Sequence, residues 1–393
     1  MSKRAVKSLF YITHINNLGS IFQLGILSHR QVIERGLCFT PIYNKEIVEH
    51  RLQRLTPDDK SLWEYANVYF QPRNPMLYKV LRGNDKKDVV ILGIKPQILD
   101  NKGAFIALGN AASSLTELLD VKTGLKRITG REYWNILNSD WWKDEDGTKR
   151  KIMAECLIPN SVPPDAIHSV YVVNNGVAEQ IRPWLSKLPF QIEVVVEPHM
   201  FFEPRQRGRI TDNLFWADGD MFFSHMQTLT ISVNTVGVMG KGLASRAKYQ
   251  FPDVYVVYQD VCRDKRLVMG KPYLYKREAS LDNDLADEPL SLPNPNANKW
   301  FLLFPTKNHW REVSDPAGIE KGLQWLVENY KTKGIQSLAI PALGCGLGRL
   351  DWKEIGPLMC RYLSQMEIQV ALYLPQEKPI ASEFLTKEFL LGE

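Results

Sequence analysis

The sequence predicts two successive domains, a mixed α and β first half and a layered α/β second half. Three observations predict this. The chain has 393 residues and is 44% hydrophobic, enough apolar material for two ordinary cores. A basic stretch containing Pro and Gly, Glu203-Pro-Arg-Gln-Arg-Gly-Arg209, interrupts the pattern near the middle and is the best candidate linker, or else an ordinary solvated loop. After it, strand-like runs alternate with glycine loops and helix-like segments, the pattern of an α/β layered domain.

In the first half, short apolar runs at Leu9 to Ile12 and Val89 to Ile94 alternate with helix-like segments. It closes on a predicted strand, Gln191-Ile-Glu-Val-Val-Val-Glu197. In the second half, Leu229-Thr-Ile-Ser-Val233 reads as a strand, Gly237 to Gly242 as a loop and Leu243 to Tyr249 as the start of a helix. Further strands are predicted at Trp300 to Phe304, Ser337 to Ile340 and Gln369 to Leu374. Asp282 to Asn298, rich in Asp, Asn, Pro and Ser, reads as a surface excursion.

Composition narrows the function classes. Forty-nine basic and 44 acidic residues leave a net charge of only +5, so nucleic-acid binding has to come from a local patch. The five cysteines contain no C-x-x-C pair and the seven histidines supply no partner for them, so no metal site or disulfide framework is legible. The apolar stretch near the start is interrupted by His14 and two Asn, and no apolar run reaches membrane length. A cytoplasmic, reducing compartment with no membrane partner is the expectation.

Two glycine loops carry chemistry. Asn234-Thr-Val-Gly-Val-Met-Gly-Lys-Gly-Leu-Ala244 places three glycines between a strand and a helix, where backbone approaches a ligand closely and a helix start offers N–H groups to phosphate. It is not a Walker loop, because Gly242 follows Lys241 where Ser or Thr is needed and the glycine spacing is too short. The second, Gly344-Cys-Gly-Leu-Gly348, has Arg349 where a dinucleotide fingerprint needs its third glycine. Two such loops after two different strands fit a clamp on one diphosphate.

These residues, with Gly219-Asp220, Phe304-Pro-Thr-Lys-Asn-His-Trp310 and Pro341 to Trp352, resemble a macrodomain of the DarG antitoxin type over about residues 210 to 375. The resemblance implies a three-layer α/β/α macrodomain that binds ADP-ribose. Asp220 would meet the adenine and Asn234 the distal ribose. Gly237, Val238, Met239, Gly240 and Gly242 would meet the diphosphate, together with Gly344, Cys345, Gly346, Leu347 and Gly348. It further implies Lys307 as the catalytic residue, attacking the anomeric carbon as a neutral amine, with His309 and Arg311 as compatible cationic neighbours. Related human macrodomains with a catalytic lysine carry Asp in place of Gly348, which leaves the proton-handling partner of Lys307 open. A solvated lysine and a structural turn cap are the plain readings of Lys307 and Asn234.

In the first half, Glu155 is a lone acid in the apolar run Ile152-Met-Ala-Glu-Cys-Leu-Ile158, a pattern that also fits an outward-facing strand position. NAD⁺-dependent transfer needs such a carboxylate beside an oxocarbenium-like transition state and a cation for the diphosphate. Phe10-Tyr-Ile-Thr-His-Ile-Asn-Asn-Leu18 with Gly25-Ile-Leu27, then Tyr69 to Tyr78, Tyr133 to Leu137 with Trp141-Trp142, and Ala154 to Ile158 resemble the DarT toxins over about residues 7 to 202. Members of that family have an α+β ADP-ribosyltransferase fold and modify bases of single-stranded DNA. The resemblance implies Glu155 as the catalytic glutamate and Arg51 as the arginine that holds NAD⁺ and assists catalysis. Tyr11, Thr13, Asn17 and Gly25 would line the NAD⁺ pocket, with Tyr11 standing where some members have His. His14 and Arg73 read equally as a capped core histidine and a surface ion pair. Trp63, Tyr65, Trp141 and Trp142 are candidate platforms for an unstacked base.

The expectation is therefore a fusion: residues 1–202 a DarT-like transferase, 203–211 a linker, 212–393 a DarG-like macrodomain. NAD would be a substrate, no metal would take part, and single-stranded DNA and ADP-ribose would be the partners, in a toxin–antitoxin or phage-defence setting. Partner DarG proteins usually carry a further C-terminal region that grips the toxin. The chain ends soon after the macrodomain, so hydrolysis or contact between the domains in cis is the expected restraint. A protein that only reads ADP-ribose beside an inert first half, or a pair acting on RNA or protein, are the alternatives that the residues leave open, as is thymine or guanine for the base.

Overall fold

The computed structural model describes residues 6–42, 45–139, 142, 147–277, 299–375 and 379–392. The surface excursion expected at Asp282 to Asn298, and Trp141, lie outside the described residues. The described chain divides into two compact units, one up to Phe202 and one beginning at Glu203. No helix among the described residues is long and apolar enough to cross a membrane.

The first unit contributes ten strands: β1 (Leu9–His14), β2 (Ile26–Leu27), β3 (Tyr65–Tyr69), β4 (Val89–Ile94), β5 (Phe105–Ala107), β6 (Leu118–Asp120), β7 (Glu155–Pro159), β8 (Ser161–Val162), β9 (Ile167–Val172) and β10 (Glu193–Val196). Eight form one sheet in the order β10-β9-β4-β1-β3-β7-β5-β6, while β2 and β8 pair separately. Only β9 and β10 pair in parallel; the remaining neighbours are antiparallel, which makes the unit α+β. The apolar run Val89–Ile94 is buried along its whole length, as an inner strand covered on both faces requires. Helices start where the sequence supplies caps. The Asn74 side chain accepts from Leu77 N ahead of Pro75, and Asn174 does the same for Val177 N.

The second unit adds β11 (Gln206–Arg209), β12 (Leu214–Asp218), β13 (Thr228–Asn234), β14 (Tyr273–Tyr275), β15 (Trp300–Lys307), β16 (Ser337–Pro341) and β17 (Gln369–Tyr373). They form one sheet in the order β11-β12-β17-β16-β13-β15-β14, with parallel pairing inside and antiparallel edges. Strand alternation sends neighbouring residues to opposite faces. Leu302, Phe304, Leu338, Ile340, Val370 and Leu372 join the core beneath the helices Pro316–Lys333 and Trp352–Leu363. Phe301, Leu303, Ala339, Ala371 and Tyr373 join the core beneath Gly242–Gln250 and Pro252–Arg263. The sheet is therefore the middle of three layers.

The expected linker is partly sheet. Gln206–Arg209 is an edge strand paired with Phe215–Asp218, and its charge hid it: edge strands carry basic residues without losing their place. Gly208 is needed there, since a Cβ would fall 2.3 Å from the Trp216 indole nitrogen.

Candidate active sites

In the first unit, β1, β3 and β7 lie side by side, and the register sets Tyr69 opposite Glu155. Glu155 is fully buried, so its strand position does not face water. Arg51, on the helix Lys45–Gln53, sends Nη1 to within 3.2 Å and 3.5 Å of the two carboxylate oxygens. Backbone Ala111 N donates to Oε1 at 3.0 Å. The other terminal nitrogen, Arg51 Nη2, is buried with no hydrogen-bond partner among the described residues. A buried donor left unmade costs free energy, and an anionic ligand oxygen is the natural group to satisfy it.

Tyr69 joins this cluster. Burial pushes its phenol well above the ordinary value and the Glu155 carboxylate pushes further the same way; Arg51 opposes them and Tyr11 adds to them. His29 lies near enough for Arg51 to lower its pKa, after the larger effect of burial, and its ring meets Trp63 edge-on at 4.4 Å. Thr13 and Asn17 form a separate group. Asn17 Nδ2 donates to Thr13 Oγ1 at 3.1 Å and to Thr40 O at 2.9 Å, while Thr40 N donates to Asn17 Oδ1 at 2.8 Å. These side chains fix Thr40 beside the end of β1 rather than touching Glu155. Gly25 has φ +88°, and a Cβ there would stand 2.3 Å from the Val162 carbonyl, so the backbone alone requires glycine.

The other first-half candidates take plainer places. His14 Nδ1 accepts from Asn16 N at 3.1 Å, a local cap. Arg73 is buried over the Phe202 ring, 4.7 Å to the centroid, and is no surface residue. Tyr65 is buried with its hydroxyl on Asp58 at 2.8 Å, so it offers no open platform. Trp142 packs edge-on to Tyr78 and Phe202.

In the second unit, the site lies beyond the carboxyl ends of parallel strands where the strand order reverses, the place where open α/β sheets bind ligands. Register sets Asn234 beside Lys307 at the ends of β13 and β15. The Asn234 side chain is a knot for the first glycine loop. Its Nδ2 donates to Val238 O at 2.6 Å, and its Oδ1 accepts from Val236 N, Val238 N and the Tyr258 hydroxyl. The turn-cap reading of Asn234 is thus real, and one amide hydrogen remains for a ligand.

Gly237 and Gly242 have φ of +80° and +60°, which the loop's path demands. A Cβ on Gly242 would stand 3.0 Å from Leu347, so the two glycine loops meet each other. Met239 is buried, Val238 is exposed, and a Cβ on Gly240 would meet the Val238 side chain at 3.9 Å. In the second loop Gly344 has φ +76° and Cys345 and Gly346 are half-buried. Gly348 is enclosed by the Gly344 backbone and the Ser314 side chain: a Cβ would stand 2.4 Å from both Gly344 O and Ser314 Oγ. An aspartate therefore has no room at this position. Asp220 caps the turn Met221–Phe223, accepting from Phe222 N at 3.0 Å, and is paired with Arg246, whose guanidinium lies over the Phe222 ring.

Lys307 Nζ donates to Glu312 O at 2.8 Å. Its pKa is lowered, first by burial and then by the Arg349 charge, with Glu312 opposing. The cation that acts on it is thus Arg349, from the second glycine loop, rather than the adjacent His309 or Arg311. Arg349 itself sits at φ +63°, uncommon for a residue with a side chain. A lysine at a strand end beside Asn234, its ammonium form disfavoured by burial and by Arg349, is a nucleophile for an anomeric carbon once deprotonated. Among the described residues no group of three or more His, Cys, Asp or Glu is placed to hold a metal ion.

His29, Tyr69, Ala111, Ser314 and Arg349 were absent from the sequence-level candidates. Tyr69 and Arg349 stood inside stretches already singled out, but only the strand register and the fold around Lys307 gave them a role.

Comparison with known proteins adds the following. Residues 10–202 match the family described as ssDNA thymidine ADP-ribosyltransferase, DarT, and residues 293–359 match the macro domain family. Over 386 residues, 98% of each chain, the sequence is 52% identical to a DNA ADP-ribosyl transferase–DNA ADP-ribosyl glycohydrolase fusion protein of Thermosipho africanus. Over 169 residues, 43% of each chain, it is 35% identical to a DNA ADP-ribosyl glycohydrolase of Thermus aquaticus. The solved structure of Thermosipho africanus DarTG in complex with ADP-ribose covers 98% of this chain and 100% of its own, with TM-score 0.89 and 50% identity.

Proposed function

The chain belongs to the family of fused DNA ADP-ribosyl transferases and DNA ADP-ribosyl glycohydrolases, and on that premise we propose that its first unit transfers ADP-ribose from NAD⁺ to thymidine bases of single-stranded DNA and its second unit removes it. The observation that carries the reading is a buried Glu155 paired with Arg51, which keeps a spare guanidinium donor, in one chain with a lysine of lowered pKa beside Asn234. The family description of the first half names single-stranded DNA and thymidine, and the Thermosipho relative binds ADP-ribose, which supports the substrates.

In the writing step, Arg51 Nη2 takes a diphosphate oxygen of NAD⁺. The Glu155 carboxylate stands beside the nicotinamide ribose, where positive charge develops as the bond to nicotinamide breaks. A ring nitrogen of the base forms the new bond to the anomeric carbon and gives its proton to Glu155. Tyr11 lines the nicotinamide side, and Thr13, Asn17 and Gly25 shape the far wall of the pocket. NAD⁺ is a substrate here, and no metal is invoked.

In the erasing step, the two glycine loops hold the diphosphate, Asp220 the adenine, and the free amide hydrogen of Asn234 the distal ribose. Neutral Lys307 attacks the anomeric carbon, the glycosidic bond to the base breaks, and the ammonium proton passes to the departing base nitrogen. Water then displaces the amine and frees ADP-ribose. A cell holding this chain carries a toxin and its antidote together in the cytoplasm, a toxin–antitoxin or phage-defence arrangement.

The test is mass spectrometry of single-stranded oligonucleotides incubated with NAD⁺ and wild-type, Lys307→Ala or Glu155→Ala protein. A stable adduct of ADP-ribose mass on thymidine with Lys307→Ala, absent when Glu155 is also removed, is the expected result. No adduct on any single strand would remove the DNA-transferase reading.

A further inference from the structure

Immediately after Lys307 the chain makes a turn that exposes an aromatic ring between an arginine and a histidine. Trp310 is 48% exposed, its neighbour Val313 51%, and Leu347 on the facing glycine loop 57%. The Arg311 guanidinium lies over the indole, 4.6 Å to the centroid, and the His309 ring stands 5.2 Å away at 33°. A lone exposed tryptophan needs no explanation. This one is held in place.

The turn is closed at every point. Glu312 N donates to His309 O and His309 N donates to a Glu312 carboxylate oxygen, both at 3.1 Å. Arg311 N donates to His309 Nδ1 at 3.3 Å. Lys307 Nζ ties to Glu312 O at 2.8 Å, and both Thr235 N and Thr235 Oγ1 donate to Asn308 O. The indole therefore stands on a hydrogen-bonded turn that also ties Lys307. Two carboxylates close in sequence are occupied, Glu312 within the turn and Asp315 at the start of the next helix. No ion pair joins Arg311 or Arg349 to a carboxylate among the described residues.

We infer that this turn is a single-strand platform: Trp310 stacks on a nucleobase beside the ADP-ribosylated one, while Arg311 and Arg349 meet the flanking phosphates. The inference rests on the glycohydrolase reading of the second unit and names how that site grips its DNA. The polymer attached to the anomeric carbon has to leave the pocket at Lys307, and the groups found there suit a chain that alternates flat rings with negative charge. Stacking platforms combined with Arg are the usual means of holding single strands without reading their sequence.

The experiment compares hydrolysis of an ADP-ribosylated single-stranded 12-mer with that of ADP-ribosyl-thymidine nucleoside, using the full chain in wild-type, Trp310→Ala, Trp310→Phe, Arg311→Ala and Arg349→Ala forms. Binding of free ADP-ribose, measured by calorimetry, checks that the pocket is intact. Wild type should favour the 12-mer in KM. Trp310→Ala should narrow that preference by roughly 5- to 150-fold, and Trp310→Phe should keep most of it. Each arginine variant should lower the salt slope of log KM for the 12-mer by about 0.7, the value of one single-strand phosphate. An unchanged preference in Trp310→Ala with ADP-ribose binding intact would overturn the platform alone. A wild-type protein that hydrolyses neither substrate would remove the glycohydrolase reading and the platform with it.

Discussion

Arg51 Nη1 stands 3.2 Å from Glu155 Oε2, joining a helix to a strand 104 residues away and holding a carboxylate that is fully out of water. The only other donor to that carboxylate among the described residues is Ala111 N. Removing the arginine leaves a buried anion with one hydrogen bond, a change that typically costs about 3–5 kcal/mol. Arg51→Ala should therefore lose both transferase activity and stability, seen as a lower thermal midpoint. Glu155→Gln should lose at least about 10²-fold in adduct formation while unfolding close to wild type. Equal stability loss in both variants would show that the pair serves structure only.

Lys307 should titrate below an ordinary lysine, because burial and the Arg349 charge disfavour its ammonium form. The free amine is the reactive form, so hydrolysis should rise with pH up to this lowered pKa and then level. Replacing Arg349 by Glu favours the ammonium form, so the rise should move to higher pH and the rate near pH 7 should fall. A pH–rate profile of adduct hydrolysis reads both effects, and a profile unmoved by Arg349→Glu would detach that residue from Lys307.

Gly348→Ala should damage the second glycine loop even though it adds a single methyl. The new carbon would stand 2.4 Å from the Gly344 carbonyl and the Ser314 hydroxyl, and overpacking of this kind costs about 1–3 kcal/mol. ADP-ribose affinity by calorimetry should fall by about tenfold or more, because the loop carries the diphosphate contacts. Wild-type affinity in Gly348→Ala would mean the loop relaxes without consequence.

Asn234 and Tyr258 should behave as one unit. Asn234→Ala strips the first loop of its anchor, leaving Val236 N and Val238 N without their acceptor at about 1–3 kcal/mol for an unmade bond and the Tyr258 hydroxyl on the residue 234 carbonyl alone. Tyr258→Phe removes the donor but leaves the Val236 and Val238 contacts, so it should cost less. A double-mutant cycle in ADP-ribose affinity and thermal stability should be non-additive. Strict additivity would sink the claim that the tyrosine acts through the asparagine.

Much of the second unit could be read directly. Strands at Leu229 to Val233, Trp300 to Phe304, Ser337 to Ile340 and Gln369 to Leu374 lie within observed strands to within a residue, because buried parallel strands are continuous apolar runs. Val89 to Ile94 matches its strand because it is buried along its whole length, although both its neighbours run antiparallel. The edge strand Gln206–Arg209 was illegible, because an edge tolerates charge and glycine and so shows no apolar pattern. Tyr65 shows the opposite failure. Its aromatic ring suggested a platform, whereas its hydroxyl has a buried partner in Asp58 that no spacing rule supplies.

By itself the sequence determined the local chemistry: the apolar runs, the glycines where φ must be positive, and the carboxylate, guanidinium and amine that ADP-ribose chemistry needs. Only the tertiary structure decided which of them meet. Strand register set Asn234 beside Lys307 and Tyr69 opposite Glu155; packing drove Glu155 out of water against Arg51; and a loop crossing made Arg349 the cation that acts on Lys307. Spacing along a chain fixes what a few consecutive residues can do. Desolvation and charge pairing depend on distances through space, and these arise only when segments tens to a hundred residues apart are packed together.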